Sequence, residues 1–62
     1  MKLKELREES NVSQKEIANV LNIKQNTYSQ YENGKRQLPI EVLIKLADFY
    51  KVTTDYILGL ED

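Results

Sequence analysis

An all-α bundle of five short helices is the fold class this 62-residue sequence predicts. Three observations carry that reading. Apolar residues recur at helical spacing in several stretches, while sustained period-2 alternation is absent. Breakers are few, with glycine only at Gly34 and Gly59 and proline only at Pro39. One helix start, at Ser13, is spelled out in full by its capping residues. No linker, repeat or low-complexity tract divides the chain, so residues 1–62 read as one domain.

Leu3 and Leu6 mark a first helix over about residues 2–9, closed by the polar break Ser10-Asn11. The second is expected over 13–21. Ser13 and Glu16 form the S-x-x-E box, in which each side chain accepts the other residue's backbone N–H, and Val12 and Ile17 occupy the two positions of a hydrophobic staple. Ile17, Ala18, Val20 and Leu21 are its expected buried stripe. Asn22 suits the left-handed conformation that ends a helix. Only Asn22-Ile23-Lys24 precede the third helix, 25–33, which closes at Gly34. Two helices joined by about three residues describe a helix-turn-helix. Pro39 suits the first turn of a fourth helix over 40–50, where its missing N–H costs nothing. Ile40, Leu43, Leu46, Ala47 and Tyr50 give that helix one apolar face. Thr53 or Thr54 caps a last helix, 54–58, which holds Ile57 and Leu58.

Composition narrows the chemistry. A chain this short buries roughly 60% of its unfolded surface, so its core must be efficient. Neither cysteine nor histidine occurs, which excludes a disulfide, a Cys/His zinc site and any nucleophile or base of those types. No glycine-rich loop or paired acids replace them, so no catalytic residue, cofactor or metal site is expected. Val42-Leu43-Ile44 falls far short of the roughly 20 apolar residues of a membrane span, and the charged N-terminus lacks a signal-peptide core. The chain is expected in the cytoplasm, where the sequon Asn11-Val12-Ser13 is silent.

The third helix carries the functional argument. On a helical wheel Thr27, Tyr28 and Tyr31 share one side, the tyrosines as core. Gln25, Asn26, Ser29, Gln30 and Asn33 share the other, which holds five hydrogen-bonding side chains and no charge. A merely solvated helix face is usually rich in Glu and Lys. A side-chain amide offers donor and acceptor together, which matches adenine in the major groove. The formal charge of −1 is split: residues 13–40 carry +2, residues 41–62 carry −3, and the first twelve balance. The central segment therefore presents a positive field around an amide-rich face.

Ser13-Gln14-Lys15-Glu16-Ile17-Ala18, Asn22-Ile23 and Tyr28-Ser29-Gln30-Tyr31-Glu32-Asn33-Gly34 together resemble the Cro and lambda-repressor-like helix-turn-helix (XRE) family. Leu43–Ala47 and Val52–Gly59 resemble its fourth and fifth helices, so nearly the whole chain is covered. The resemblance implies a sequence-specific binder of double-stranded DNA, a bacterial or phage transcriptional regulator of the repressor type. It implies base reading by Gln25, Asn26, Gln30 and, as a further candidate, Ser29. Backbone contacts are implied for Gln14, Lys15, Lys24, Asn33, Lys35, Arg36 and Gln37, with Gln14 meeting a phosphate. It also implies an Arg7–Glu32 ion pair tying the first helix to the third; the bland alternative is an ordinary surface pair. Two departures stand out: Asn22 replaces the usual turn glycine, and Lys24 replaces the usual Ser or Thr cap.

A homodimer on a pseudo-palindromic operator follows, because a single small domain touches few phosphates. Phe49, Tyr56, Ile57, Leu58 and Leu60 are the apolar candidates for its surface, rimmed by Glu61 and Asp62; the same residues could instead close the core. The competing reading is a protein-interaction or antitoxin-like module on the same fold.

Overall fold

The computed structural model describes residues 1–61. Its order is α1 (Leu3–Glu9), α2 (Gln14–Leu21), α3 (Gln25–Glu32), α4 (Ile40–Tyr50) and α5 (Thr54–Leu58). The expected five helices are therefore present: α1, α2 and α3 are each one residue shorter at one end than expected, and α4 and α5 have the expected bounds. Lys2, Ser13 and Asn33 flank their helices as caps. Pro39 is the extended N-cap of α4 and not a member of its first turn, which still spares the helix a missing N–H.

The α2 start has the predicted chemistry. Ser13 Oγ accepts from Glu16 N at 3.0 Å, and Glu16 Oε1 accepts from Ser13 N at 3.2 Å. Asn22 adopts the left-handed conformation at φ 58°, and Ile23 N then donates back to Ala18 O. Thr53 caps α5 by accepting from Tyr56 N. Lys51 closes α4 with φ 58° as well, a conformation nothing in its residue type announces.

The core is a single cluster drawn from every helix: Leu3 and Leu6, Ile17, Ala18 and Leu21, Tyr28 and Tyr31, Leu43, Leu46 and Ala47, and Ile57. Helix α2 packs against both α3 and α4, and α4 against α5. Backbone ties secure the ends, with Lys2 N donating to Ile57 O at 2.8 Å. The Lys2 ammonium lies 4.7 Å from the Tyr56 ring centre. None of the described helices is long and apolar enough to cross a membrane.

Three expectations are corrected. Val20 is exposed, because at about 100° per residue it falls well outside the arc of Ile17, Ala18 and Leu21. Ile40 is 65% exposed: it sits on the apolar side of α4, but in the first turn, and its side chain leans back past the helix end. Ile57 is fully buried and so belongs to the core and not to a dimer surface, because α5 lays it against α4. Tyr56 is half-buried, while Phe49, Leu58 and Leu60 remain exposed. Asp62, counted in the acidic rim, lies outside the described residues.

Leu46 is completely buried at the centre of α4. Leu46→Ala should therefore cost about 2–5 kcal/mol, read as a lowered urea midpoint with the slope unchanged. That loss is comparable to the whole stability expected of a domain this small.

Candidate nucleic-acid interface

The turn between α2 and α3 sets the angle at which α3 leaves the body of the protein, and Tyr28 and Tyr31 anchor its inner side. The opposite side faces outward. Gln25 and Asn26 are exposed, and Ser29 and Gln30 are half-buried. All four predicted base readers thus lie on one helix surface. Asn33, one turn beyond Ser29, directs its amide Nδ2 to Ser29 Oγ at 3.4 Å.

The predicted backbone contacts surround this surface. Lys15 is exposed on α2, and Lys24 is exposed at the N-cap of α3. Lys24 makes no side-chain cap hydrogen bond, as expected of a side chain that only donates. Asn33, Lys35, Arg36 and Gln37 are all exposed in the loop after α3. Gly34 takes φ 73° there, and Lys35 N donates to Gln30 O at 2.9 Å, so the basic residues leave the helix end in a fixed turn.

Beside this surface lies a part-buried polar cluster. Arg7 Nε donates to Glu32 Oε2 at 2.9 Å and Arg7 Nη2 to Glu32 Oε1 at 3.0 Å. Its Nη1 donates to Val12 O at 3.0 Å. Gln14 Nε2 adds a further bond to Glu32 Oε1 at 3.2 Å. The Glu32 side chain is only 3% exposed, so the pair is structural and not an ordinary surface pair. One carboxylate on α3 thereby gathers α1, α2 and the turn between them. Burial alone would raise the Glu32 carboxyl; the bonds from Arg7 and Gln14 and the positive charge of Arg7 outweigh it, and the group is held below its ordinary value of 4.5. The Tyr28 hydroxyl is close enough to favour the same ionised form, although it reaches no partner at hydrogen-bond geometry. Burial pushes the Tyr28 and Tyr50 hydroxyls up.

Sequence reasoning missed two members of this cluster. Gln14 stood as a phosphate contact, whereas in the free chain its amide is engaged with Glu32. The buried Tyr50 hydroxyl was not singled out; its signal was a tyrosine on the apolar face of α4. Beside the cluster, Gln14 on one wall and Gln25, Asn26 and Ser29 on the other line an open groove between the starts of α2 and α3.

The helix-turn-helix family model matches residues 3–57. The chain belongs to the helix-turn-helix family. Among similar proteins of this family, the HTH-type transcriptional regulator ImmR of Bacillus subtilis (strain 168) is 43% identical over 61 residues, covering 98% of this chain and 48% of that protein. The HTH-type transcriptional regulator AnsR of the same organism is 42% identical, over 97% of this chain and 52% of its own. The cryptic phage CTXphi transcriptional repressor RstR of Vibrio cholerae is 41% identical, over 82% and 46%. The chain spans about half the length of the curated relatives it matches. No solved structure matches it significantly.

Because the folded-state Glu32 is depressed, its contribution is complete above about 4.5 and is lost as pH falls through the lower folded value. Glu32→Gln should therefore be less stable than the parent at pH 7, and the gap between their urea midpoints should close as pH falls below 4.5. Arg7→Met, which strands the buried carboxylate, should cost about 3–5 kcal/mol. Lys24→Ser, which supplies the absent cap, should stabilise the free chain by about 1 kcal/mol.

Proposed function

We propose that this chain is the sequence-specific, double-stranded-DNA-binding part of a transcriptional regulator of the repressor type. In this reading α3 enters the major groove. Gln25, Asn26, Ser29 and Gln30 read base edges, and Gln14, Lys15, Lys24, Asn33, Lys35, Arg36 and Gln37 hold phosphates. The observation that carries it is the outer surface of α3: four uncharged hydrogen-bonding side chains on one face of a helix whose other face is core, with cationic residues at both margins. A merely solvated face is usually rich in Glu and Lys instead. The names of the relatives support the same reading, two as transcriptional regulators and one as a repressor.

On this reading Lys24 meets a DNA phosphate, which offsets the bare helix start. A homodimer on DNA is part of the proposal, with half-sites about 34 Å apart and Phe49, Leu58 and Leu60 as the exposed apolar residues nearest to a shared surface. The charge supports a division of labour. A chain with only modest local positive charge draws less on counterion release and more on amide contacts and pairing.

Selection of bound sequences from random duplex DNA tests the proposal. A two-fold symmetric motif is the expected result, with affinity falling steeply as salt rises. No enrichment at low salt, or binding only to a protein partner without salt dependence, contradicts it. Gln25→Ala should relax preference at one base pair by about 1–3 kcal/mol, whereas Arg36→Ala should weaken all sequences alike.

A further inference from the structure

An asparagine cyclises when the backbone nitrogen of the next residue attacks its side-chain carbonyl carbon, so the bulk of that next residue sets the rate. Asn11, Asn19, Asn22 and Asn26 precede Val12, Val20, Ile23 and Thr27. All four followers are β-branched and crowd the attacking nitrogen. Asn33 alone precedes glycine. Asn33 and Gly34 are both exposed, and a Cβ built on Gly34 would meet nothing within 4 Å, so the surroundings of this pair are open. The pair also lies where α3 gives way to the basic loop. Asn33 Nδ2 donates to Ser29 Oγ at 3.4 Å, and Lys35 and Arg36 follow at once. The turn opposes the reaction: Asn33 holds ψ 0°, and Gly34 N donates to Tyr31 O at 3.2 Å. Attack requires that bond to break and the backbone to swing, an opening that helix ends undergo readily.

We propose that Asn33-Gly34 is a self-modification site: in the DNA-free chain Asn33 converts to an acid, and the product grips DNA less well. Gly34 N bonds to Asn33 Cγ and gives up its proton, while the Cγ–Nδ2 bond breaks and ammonia leaves. Water then opens the cyclic imide at either carbonyl. One opening gives aspartate. The other gives isoaspartate, whose main chain runs through the former side chain and carries Lys35 and Arg36 out of register. Either product sets a negative charge beside the phosphate contacts. A carboxylate accepts hydrogen bonds and donates none, so it repels the phosphate that the amide would hold and draws the Ser29 hydroxyl proton to itself. A bound duplex clamps both sides of the turn and slows the opening. The effect on DNA rests on the role of α3 and its loop proposed above; the ring closure does not.

The intact chain, incubated at mildly alkaline pH with and without a duplex recovered by selection, tests the proposal. The tryptic peptide 25–35 is followed by mass and by isoaspartate-specific methylation, with Asn26 as its internal control. The free chain should gain acid at Asn33 and not at Asn26, and saturating duplex should slow the gain by about fivefold or more. The aged chain, shown by thermal melts to be folded, should bind duplex about tenfold more weakly, all sequences alike. Asn33→Asp should show that loss from the start. Asn33→Gln, whose ring closes far more slowly, should keep its starting affinity over the same interval. Asn33 reacting no faster than Asn26 overturns the site. Aged chain and Asn33→Asp that bind as tightly as fresh parent overturn the consequence while leaving DNA reading intact. A fresh parent that binds no duplex overturns the DNA reading and the consequence together, whereas the mass gain at Asn33 still decides the site.

Discussion

Glu32 accepts two hydrogen bonds from Arg7 and one from Gln14, and Arg7 in turn bonds the carbonyl of Val12. These four contacts join α1, α2 and α3. In a chain of this size the core alone fixes helix positions loosely, because it supplies few fully buried side chains. Directional bonds to a buried charge add angular constraint, and leaving either charge unpaired is costly. The outward surface of α3 depends on this point: its residues can face a partner together only if the helix is held in rotation as well as in place.

The rest of the structure divides along the same line. Tyr28 and Tyr31 give α3 its inner anchor, so its outer face is free to carry amides and hydroxyls that contribute little to folding. The acidic side chains that lower the net charge, Glu41, Asp48, Asp55 and Glu61, are exposed on or beside α4 and α5, whereas Lys24, Lys35 and Arg36 flank α3. The near-zero total charge is the sum of two unlike regions. The one acid set within α3, Glu32, is already neutralised by Arg7.

Much of this was legible in the residues because the signals are local. Ser13, Glu16, Val12 and Ile17 specify the start of α2 through contacts within five positions, and Asn22 specifies its end through its own backbone preference. The uncharged polar face of α3 was legible for the same reason, since helical periodicity alone brings Gln25, Asn26, Ser29 and Gln30 together. What escaped the sequence needed tertiary information. Val20 and Ile40 have core chemistry and helical spacing, yet no neighbouring element covers them. Ile57 could have closed the core or faced a second copy, and only the packing of α5 decides. The bond between Gln14 and Glu32 joins residues 18 positions apart, and no pattern of spacing encodes it. Lys51 adopts its left-handed conformation because the chain must turn after α4, not because lysine favours it.

The central claim is that the partner of this fold is duplex DNA, met by the outer face of α3. Intermolecular NOEs between the isotope-labelled chain and an unlabelled duplex recovered by selection test that most directly. Cross-peaks from base protons to the side-chain amides of Gln25, Asn26 and Gln30 are the predicted result. DNA cross-peaks confined to α4 and α5, with those amides unperturbed, would contradict it.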